Sequence, residues 1–183
     1  KNTRPSLTMT VMPLRPAAAN AYTDGVKVIT LADERWGRCD IKSIALLPNV
    51  LARQAAYEQG AAEAFLFNAA DCLTEGTLST AYIVKGHAVH THAEGHAVLP
   101  GVRKAVVRRL CEQAGIAYVE CVIPRAEMLS ADEAFITSAN THILPVTRID
   151  ETVVGSGKAG AVTLRLLALY QQHVTQQTGK LWG

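Results

Sequence analysis

Two residues of the chain have side chains that could act together in catalysis. Lys42 stands in the run Cys-Asp-Ile-Lys-Ser, and Glu75 is the centre of a Thr-Glu-Gly tripeptide further along the chain. A lysine amine can form a Schiff base with the aldehyde of pyridoxal phosphate, and a carboxylate can keep the ring nitrogen of that cofactor protonated. The pair could therefore hold the two ends of the ring. The residues alone equally allow a solvated lysine at a strand end and an exposed glutamate at a hairpin corner.

Two stretches of the chain could bind an anion such as a phosphate. Gly101, Val102 and Arg103 open a predicted helix, where unpaired backbone N–H groups and the helix dipole favour negative charge. The second stretch follows a predicted strand, and its small residues would let the backbone approach phosphate oxygens closely. Its members are Ser138, Ala139 and Asn140. Small polar residues after a strand also form ordinary turns, so each stretch alone is a weak signal.

A glycine motif near the C-terminus is typical of dinucleotide-binding proteins. Residues 155–160 fit the spacing Gly-x-Gly-x-x-Gly and precede a predicted helix. The sequence after Gly160 is too short for a crossover helix, a second strand and an acidic partner for the ribose. The pattern therefore favours a flexible turn that starts the last helix.

Four histidines lie close together in the sequence and could suggest a metal site. They are His87, His90, His92 and His96. On a strand, alternate residues share a face, so His90 and His92 would lie together while His87 would point to the other side. This arrangement favours surface histidines, and we predict no metal site.

The hydrophobic pattern predicts the elements that position these residues. Short apolar runs predict strands at residues 26–31, 63–67, 81–84, 87–90, 116–123, 134–137 and 143–146. Helical spacing predicts helices at residues 46–59, 102–114, 126–129 and 159–177. Strand pairs joined by tight turns, with helices between them, predict a mixed α/β domain. Its sheet or pseudo-barrel would be largely antiparallel, with packed helices.

The predicted helix at residues 102–114 is the most clearly amphipathic one. The side chains expected on its apolar face are Val102, Val106, Leu110 and Cys111. Those expected on its polar face are Arg103, Lys104, Arg108, Arg109 and Glu112. We expect the apolar face to pack against the sheet.

The composition is that of an ordinary globular domain. The 183 residues are 49% apolar and carry a formal net charge of only +2, which suits one well-packed domain. The charge is too small for a dedicated nucleic-acid surface, and charged or polar residues interrupt every apolar stretch before it could span a bilayer. We therefore expect neither nucleic-acid binding nor membrane insertion.

The first part of the chain differs from the rest. Residues 1–22 carry three prolines and an Ala/Asn-rich patch, which predicts an extended arm before a compact domain at residues 23–183. The chain opens without Met and without an export signal. The cysteines Cys39, Cys72, Cys111 and Cys121 include no Cys-x-x-Cys pair, which favours free thiols in a reducing cytoplasm.

Taken in order, these motifs resemble those of D-amino acid aminotransferases, which are fold-type IV pyridoxal phosphate enzymes. The resemblance covers about residues 22–175. It rests on RCDIKS at 38–43, LLPNVLARQ at 46–54, TEG at 74–76, LPGV at 99–102, FITS at 135–138, PV at 145–146, ID at 149–150 and GKAG at 157–160. The same superfamily contains branched-chain aminotransferases and aminodeoxychorismate lyase.

The resemblance implies a homodimeric transaminase that exchanges an amino group between an amino acid, with D-amino acids favoured, and a 2-oxo acid. Lys42 would form the Schiff base with pyridoxal 5'-phosphate and later move a proton at the substrate α-carbon. Glu75 would pair with the ring nitrogen, and Leu99 would pack on a ring face. The groups implied to hold the phosphate are the backbone at Gly101, Val102 and Arg103 and the turn of Ser138, Ala139 and Asn140.

Two positions depart from the family pattern. Arg103 stands where the family usually has a threonine that offers its hydroxyl to the phosphate, and Ala139 stands where threonine is frequent. Backbone contacts survive either change. Arg103 could offer a positive charge instead, or it could point to solvent on the polar face of its helix.

The family places a smaller domain before this region, and that domain grips the substrate carboxylate. The resemblance therefore implies that these residues form the C-terminal, cofactor-binding domain and that the N-terminal domain is absent from the sequence. Three alternatives stay open: aminodeoxychorismate lyase, a branched-chain aminotransferase, and a noncatalytic binding or assembly domain that retains the fold.

Overall fold

The computed structural model of the protein describes residues 6–13 and 17–179. The strands of this part are β1 (Val26–Ala32), β2 (Glu63–Phe67), β3 (Cys72–Gly76), β4 (Thr80–Lys85), β5 (Ala88–Thr91), β6 (Tyr118–Glu120), β7 (Ile123–Pro124), β8 (Glu133–Thr137), β9 (Leu144–Ile149) and β10 (Thr152–Val153). The helices are α1 (Ala21–Asp24), α2 (Leu47–Glu58), α3 (Lys104–Ala114), α4 (Arg125–Leu129) and α5 (Ala161–Thr178).

The strands form one mixed sheet. Their order is β6-β5-β4-β8-β9-β1-β2-β3-β7, and β10 pairs with β9. Three of the pairs are parallel, namely β1 with β2, β1 with β9 and β5 with β6. The other pairs are antiparallel. Two of them, β2 with β3 and β4 with β5, are joined by tight turns. The predicted mixed, largely antiparallel α/β class is confirmed.

Apolar residues bury both faces of the sheet. On β4, Ala81 and Ile83 join a core cluster with Phe65 and Ile149, because alternate residues of a strand point to opposite faces. Tyr82 and Val84 join a second cluster. The members of that cluster from other elements include Leu110 of α3, Phe135 of β8 and Leu166 of α5. Helices α3 and α5 therefore cover the face of the sheet opposite the first cluster.

Helix α2 has the predicted punctuation. Pro48 lies in its first turn, where the missing N–H of proline costs no helical hydrogen bond. Gly60 follows its end with φ of +65°, a conformation that a side chain would disfavour. The helix fixes the far end of the long loop that leaves β1 and carries Lys42.

The amphipathic helix is shorter than the pattern predicts, and its buried face is different. It begins at Lys104, and Val102 is 78% exposed. The prediction that Lys104 lies on the polar face was wrong, because this side chain is only 2% exposed. Its ammonium donates to the backbone carbonyl of His92 at 2.7 Å and pairs with Glu120 at 3.2 Å. The long side chain thus reaches acceptors beneath the helix.

The single strand predicted at residues 116–123 is two short strands. β6 pairs with β5, whereas β7 pairs with β3 at the other end of the strand order. Cys121 and Val122 lie between them in neither element. The chain crosses from one edge of the sheet to the other there, which a continuous apolar run does not reveal.

Part of the predicted arm packs against the core. Residues 1–5 and 14–16 lie outside the described residues, and residues 6–13 form neither helix nor strand. Ala17, Ala21 and Tyr22 contact the first core cluster, so the chain already packs before β1 begins. Within the described ranges, none of the helices combines the length and the apolar character needed to cross a bilayer.

Candidate functional site

One cavity of about 360 Å³ brings most of the predicted site residues together. The predicted residues that line it are Lys42, Glu75, Leu99, Gly101, Val102, Arg103, Ser138 and Ala139. They come from the loop after β1, from β3, from the segment before α3 and from the turn after β8. Asn140 is exposed and does not line the cavity.

Lys42 lies in the loop that connects β1 to α2 and not at a strand end. The loop is anchored by a hydrogen bond from the backbone N–H of Cys39 to the carbonyl of His96, at 2.8 Å. The Lys42 side chain lines the cavity, and within the described part of the chain it has no hydrogen-bond or ion-pair partner. Lys42 is exposed at the cavity, and its amine has no competing acceptor among the described residues.

Glu75 is buried, so the alternative interpretation as an exposed glutamate at a hairpin corner was wrong. It lies within β3 and is 6% exposed. Its two oxygens accept the backbone N–H of Leu99 at 3.1 and 3.2 Å, and Oε1 also accepts a hydrogen bond from Arg35. Burial raises the pKa of the Glu75 carboxyl, while the charge of Arg35 opposes that rise.

Arg35 is a site residue that sequence reasoning missed. Its guanidinium binds both carboxylate oxygens of Asp33 and donates to the backbone carbonyl of Ala97 at 3.0 Å, in addition to its contact with Glu75. Although burial disfavours the charged form, the two carboxylates raise the pKa of Arg35. The available signal was an Asp-x-Arg pattern directly after an apolar strand, because oppositely charged residues at the end of a buried strand can form a buried ion pair.

The stretch before α3 offers free backbone donors. Within the described part of the chain, the N–H groups of Val102 and Arg103 donate no hydrogen bond. Gly101 lies so close to β4 that a Cβ there would stand 2.6 Å from the hydroxyl oxygen of Thr80. The missing side chain lets the backbone enter the cavity, next to the start of a helix whose dipole favours an anion.

The turn after β8 offers fewer donors than predicted. The N–H of Ser138 donates to the carbonyl of Thr141 at 3.0 Å, and the N–H of Asn140 donates to the hydroxyl of Ser138 at 3.3 Å. Both groups are therefore used inside the turn. The N–H of Ala139 has no partner within the described ranges, so it is the backbone donor that this turn presents to the cavity.

Arg103 does not point to solvent, which was one of the two roles left open for it. Its Nε donates to the hydroxyl of Tyr170 in α5 at 2.9 Å, and its Nη1 donates to the carbonyl of Thr141 at 2.9 Å. The guanidinium also lies over the Tyr170 ring, 5.5 Å from its centroid. The side chain therefore joins the two stretches that could bind an anion, and it lines the cavity between them.

A second buried carboxylate fixes the turn between β3 and β4. Glu63 is 2% exposed and accepts the backbone N–H of Thr77 at 3.1 Å and the hydroxyl of Ser79 at 3.0 Å. From the other side, the side-chain amide of Asn49 in α2 donates to the carbonyl of Thr77 at 2.7 Å. These contacts hold residues 77–79 as one wall of the cavity.

The glycine motif at residues 155–160 precedes α5, as predicted, but its helix start is already filled. The Glu133 carboxylate accepts the N–H groups of Val162 and Thr163 at 2.9 and 2.8 Å. A Cβ at Gly160 would lie 2.0 Å from the carboxyl carbon of Glu133. The final glycine therefore serves the approach of a protein carboxylate and not of a nucleotide phosphate.

The histidines that were considered as metal ligands make separate contacts. His90 contacts the thiol of Cys121 at 3.6 Å, while the ring of His92 contacts the carbonyl of Ala93 at 2.7 Å. Among the described residues, no three side chains of the ligand-forming types group together as a metal site would require.

The donor set of the cavity fits pyridoxal phosphate. It offers an amine at Lys42, a buried carboxylate at Glu75 and free backbone N–H groups at Val102, Arg103 and Ala139. These groups match an aldehyde, a protonatable ring nitrogen and a phosphate. The cradle at Gly101, which any side chain would fill, gives the backbone access that a phosphate needs.

A site with these groups is typical of pyridoxal phosphate enzymes. The chain is a member of the family Amino-transferase class IV, whose sequence profile matches residues 1–149. This finding confirms the family resemblance that the motifs around Lys42 and Glu75 indicate.

Curated relatives of the chain include D-alanine aminotransferases. The enzyme of Bacillus licheniformis is 41% identical over 157 residues, which cover 86% of this chain and 55% of the relative. The enzyme of Listeria monocytogenes serotype 4b is 36% identical over 166 residues, which cover 91% of this chain and 57% of the relative. The chain thus spans little more than half the length of these relatives.

Solved structures with the same fold include branched-chain amino acid aminotransferases. The enzyme of Escherichia coli superposes with a TM-score of 0.80 at 25% identity, covering 94% of this chain and 59% of that one. The T.th. enzyme, solved with pyridoxamine 5'-phosphate, superposes with a TM-score of 0.79 at 26% identity, covering 89% and 55%.

Proposed function

We propose that the full-length protein is a pyridoxal phosphate-dependent aminotransferase that transfers an amino group between a D-amino acid and a 2-oxo acid. The observation that carries this proposal is the convergence of an unpaired amine, a buried carboxylate and free backbone N–H groups in one cavity. Identities of 36–41% to D-alanine aminotransferases support the D-amino acid as substrate.

Lys42 has two tasks in this proposal. Its amine would bond the cofactor aldehyde and so keep the cofactor in place between turnovers. Once a substrate amine released it, the Lys42 amine would move a proton between the substrate α-carbon and the cofactor. The bound cofactor supplies the electron sink that makes this α-carbon acidic.

The other groups orient the cofactor. Glu75 carries the negative charge that keeps a proton on the ring nitrogen, and Leu99, whose N–H holds Glu75, packs on one ring face. The backbone N–H groups of Val102, Arg103 and Ala139 and the Ser138 hydroxyl hold the phosphate. Asn140 is left out of this proposal because it does not line the cavity.

The test uses the full-length protein loaded with pyridoxal phosphate. Borohydride reduction followed by peptide mass spectrometry is expected to find the cofactor attached to Lys42. Lys42→Ala should lower transamination of D-alanine by at least about 10²- to 10⁴-fold, the range for the loss of a general acid or base. Lys85→Ala, which changes an exposed lysine at the end of β4, is the control. A colourless wild type with no labelled lysine would instead support a noncatalytic domain.

A branched-chain aminotransferase is the second candidate, favoured by the TM-scores of 0.79–0.80 to such enzymes. The sequence identity to those structures is only 25–26%, so this candidate ranks behind the D-amino acid aminotransferase. Rates with D-alanine and with L-leucine, each with a 2-oxo acid acceptor, separate the two. Release of pyruvate from aminodeoxychorismate, without an added amino acceptor, would identify the lyase of the same superfamily.

We also propose that the rim of the cavity is covered in the full-length enzyme by an N-terminal domain and by a second subunit of a homodimer. Exposed apolar side chains at the cavity support this, among them Leu78 at 62% and Val102 at 78% exposure. Ile44, in the same loop as Lys42, is 98% exposed. Sedimentation of the full-length protein should give the mass of two chains.

A cytoplasmic location is proposed from the thiols. The four cysteines all lie in the described part of the chain, and each is a free thiol. Free thiols persist in a reducing compartment. Fractionation of cells that produce the full-length protein from its own gene checks this proposal.

A further inference from the structure

Arg35 holds two carboxylates at once. Its Nε and Nη2 donate to the two oxygens of Asp33 at 2.8 and 2.7 Å, and its Nη1 donates to Glu75. The side chains of Arg35, Asp33 and Glu75 are 6%, 11% and 8% exposed. The two carboxylates therefore share one counterion in surroundings that water hardly reaches.

The counterion is shared unequally. Asp33 receives two bonds from the guanidinium and a third from the hydroxyl of Thr74 at 2.7 Å. Glu75 receives one guanidinium bond and the N–H of Leu99. Burial opposes ionisation at both carboxyls, but the donors hold the pKa of Asp33 below its ordinary value, whereas burial prevails at Glu75 and raises its pKa. Asp33 is thus the main partner of Arg35.

The charges of this group do not cancel. With both carboxylates ionised, Asp33 and Glu75 contribute two negative charges and Arg35 one positive charge, which leaves −1. Since Asp33 takes the larger share of Arg35, the excess negative charge lies on Glu75, which faces the cavity. A protonated ring nitrogen would bring the sum to zero.

Other titratable or charged groups line the same cavity, among them Cys39, Asp40, Lys42 and Arg103. Burial raises the pKa of the Cys39 thiol, with Arg35 opposing the rise, so the thiol stays uncharged at neutral pH. Lys42 lines the same cavity from the loop and would be bonded to the cofactor aldehyde. Asp40 is a further carboxylate, and it is paired with Arg38 at 2.9 and 2.8 Å. Cys39 and Lys42 add no negative charge.

We propose that Asp33 is a positioning residue that sets the charge of Glu75 through Arg35. By occupying the guanidinium, Asp33 leaves Glu75 with an uncompensated negative charge for a protonated ring nitrogen. Without the charge of Asp33, Arg35 neutralises Glu75, and the ring nitrogen loses its proton more readily. This inference rests on the proposed function, because it requires pyridoxal phosphate in the cavity.

The test follows the ring nitrogen itself. Full-length protein is loaded with pyridoxal phosphate labelled with ¹⁵N in the ring, and the ¹⁵N chemical shift is followed against pH. In Asp33→Asn the protonation midpoint should fall by about one pH unit, the lower end of the effect of a nearby charge. Asp150→Asn is the matched control, because Asp150 accepts two hydrogen bonds from Thr30 outside the cavity. Its midpoint should equal that of the wild type.

A charge-compensated pair separates charge from structure. Arg35→Gln leaves two negative charges and should raise the midpoint, whereas the double variant Asp33→Asn/Arg35→Gln again carries −1 and should return it to the wild-type value. Mere loosening of the site would not be repaired by a second substitution. If Asp33→Asn alone does not fold, a midpoint in Arg35→Gln above that of the double variant still supports the proposal, and equal midpoints overturn it.

Failure of this proposal differs from failure of the proposed function. A wild type that binds pyridoxal phosphate on Lys42, with an Asp33→Asn midpoint unchanged, overturns the role of Asp33 alone. A wild type that binds no cofactor and yields no modified Lys42 overturns the proposed function, and with it the role of Asp33.

Discussion

The burial of Glu75 gives this carboxylate a specific electrostatic task. A carboxylate that is 6% exposed is expensive to ionise unless cations or N–H donors compensate for the lost water. Arg35 and the N–H of Leu99 provide part of that compensation. A cationic partner on the cavity side would provide the rest, so the carboxylate is suited to a protonated ring nitrogen.

Glu75→Gln tests this task at the scale of one residue. The amide keeps the size of the side chain but removes the charge, so the ring nitrogen should no longer hold its proton. Loss of a charged hydrogen bond of roughly 1.5–3 kcal/mol corresponds to a kcat about 10- to 150-fold lower, with a smaller change in KM. Steady-state kinetics on the full-length enzyme measure this. Glu112→Gln, on the exposed side of α3, should leave kcat as it is.

His142 should make the stability of the protein sensitive to mild acid. Burial lowers the pKa of its imidazole below the ordinary 6.5, and the charge of Arg103 adds to the effect. Between the folded and unfolded pKa values the unfolded chain binds more protons, so stability falls as the pH drops from about 6.5 through the folded pKa. Urea unfolding at about pH 7.5 and pH 5.5 should show a smaller loss for His142→Gln than for the wild type. His96→Gln, an exposed control, should match the wild type.

The elements act by bringing distant segments to one place. β1 has parallel neighbours on both sides, β9 and β2, so its position is fixed by two ladders. The loop that leaves β1 carries Arg35 and Lys42, and β3, two strands away, carries Glu75. Loops placed by a rigid sheet can hold reactive side chains more precisely than loops alone.

The junction of β8 and α5 provides a test at this scale. Gly160 is required because a Cβ would lie 2.0 Å from the carboxyl carbon of Glu133, which caps α5. Gly160→Ala should lower the free energy of unfolding by about 1–3 kcal/mol, the usual cost of forcing in a methyl group. At Gly95 a Cβ meets nothing within 4 Å. Gly95→Ala should therefore change stability by less than about 0.5 kcal/mol, and equal losses in both variants would contradict the proposed contact.

Local patterns predicted the elements that depend on local signals. The bounds of β2 at Glu63–Phe67 agree with the predicted strand, because an unbroken apolar run between polar residues specifies a buried strand. The burial of Lys104 was missed because it depends on Glu120 and on a carbonyl at His92, neither of which lies in the helix. Residue type alone places a lysine on the surface.

The candidate site divides in the same way. Lys42 and Glu75 were identified from the motifs around them, and both line the cavity. Arg35 was missed because its importance comes from its contact with Glu75 across the sheet, and Asp33 was missed because it acts through Arg35. Spacing in the sequence encodes neither contact. The sequence does not reveal which N–H groups a turn uses internally, so it does not separate Asn140 from Ala139.

The whole molecule has an apolar surface around its cavity. Exposed side chains such as Ile44, Leu78 and Val102 lie on the segments that form the cavity or its loop. These exposed side chains support the proposal that other protein covers the surface around the cavity. The chain spans 55–57% of the length of its curated relatives.

Ile44 tests the contact because it is 98% exposed in this structure. If the rest of the full-length enzyme covers it, Ile44→Ser should cost about 1.5–3 kcal/mol there, the value for a buried aliphatic side chain. In residues 1–183 alone the same change should cost less than about 0.5 kcal/mol. Val122, which is 61% exposed between β6 and β7, is the control, and Val122→Ser should be nearly neutral in both proteins. Chemical denaturation at fixed protein concentration measures each value.

The bridge formed by Arg103 connects the cavity to the last helix of the chain. The guanidinium bonds Tyr170 of α5 and the carbonyl of Thr141, beside the free N–H groups of Val102 and Ala139. If the docking of α5 holds these donors in place, an anion bound there and the docked helix must favour each other by the same free energy. Bound phosphate would then strengthen the docking of α5 against the sheet, and docked α5 would slow the release of the phosphate.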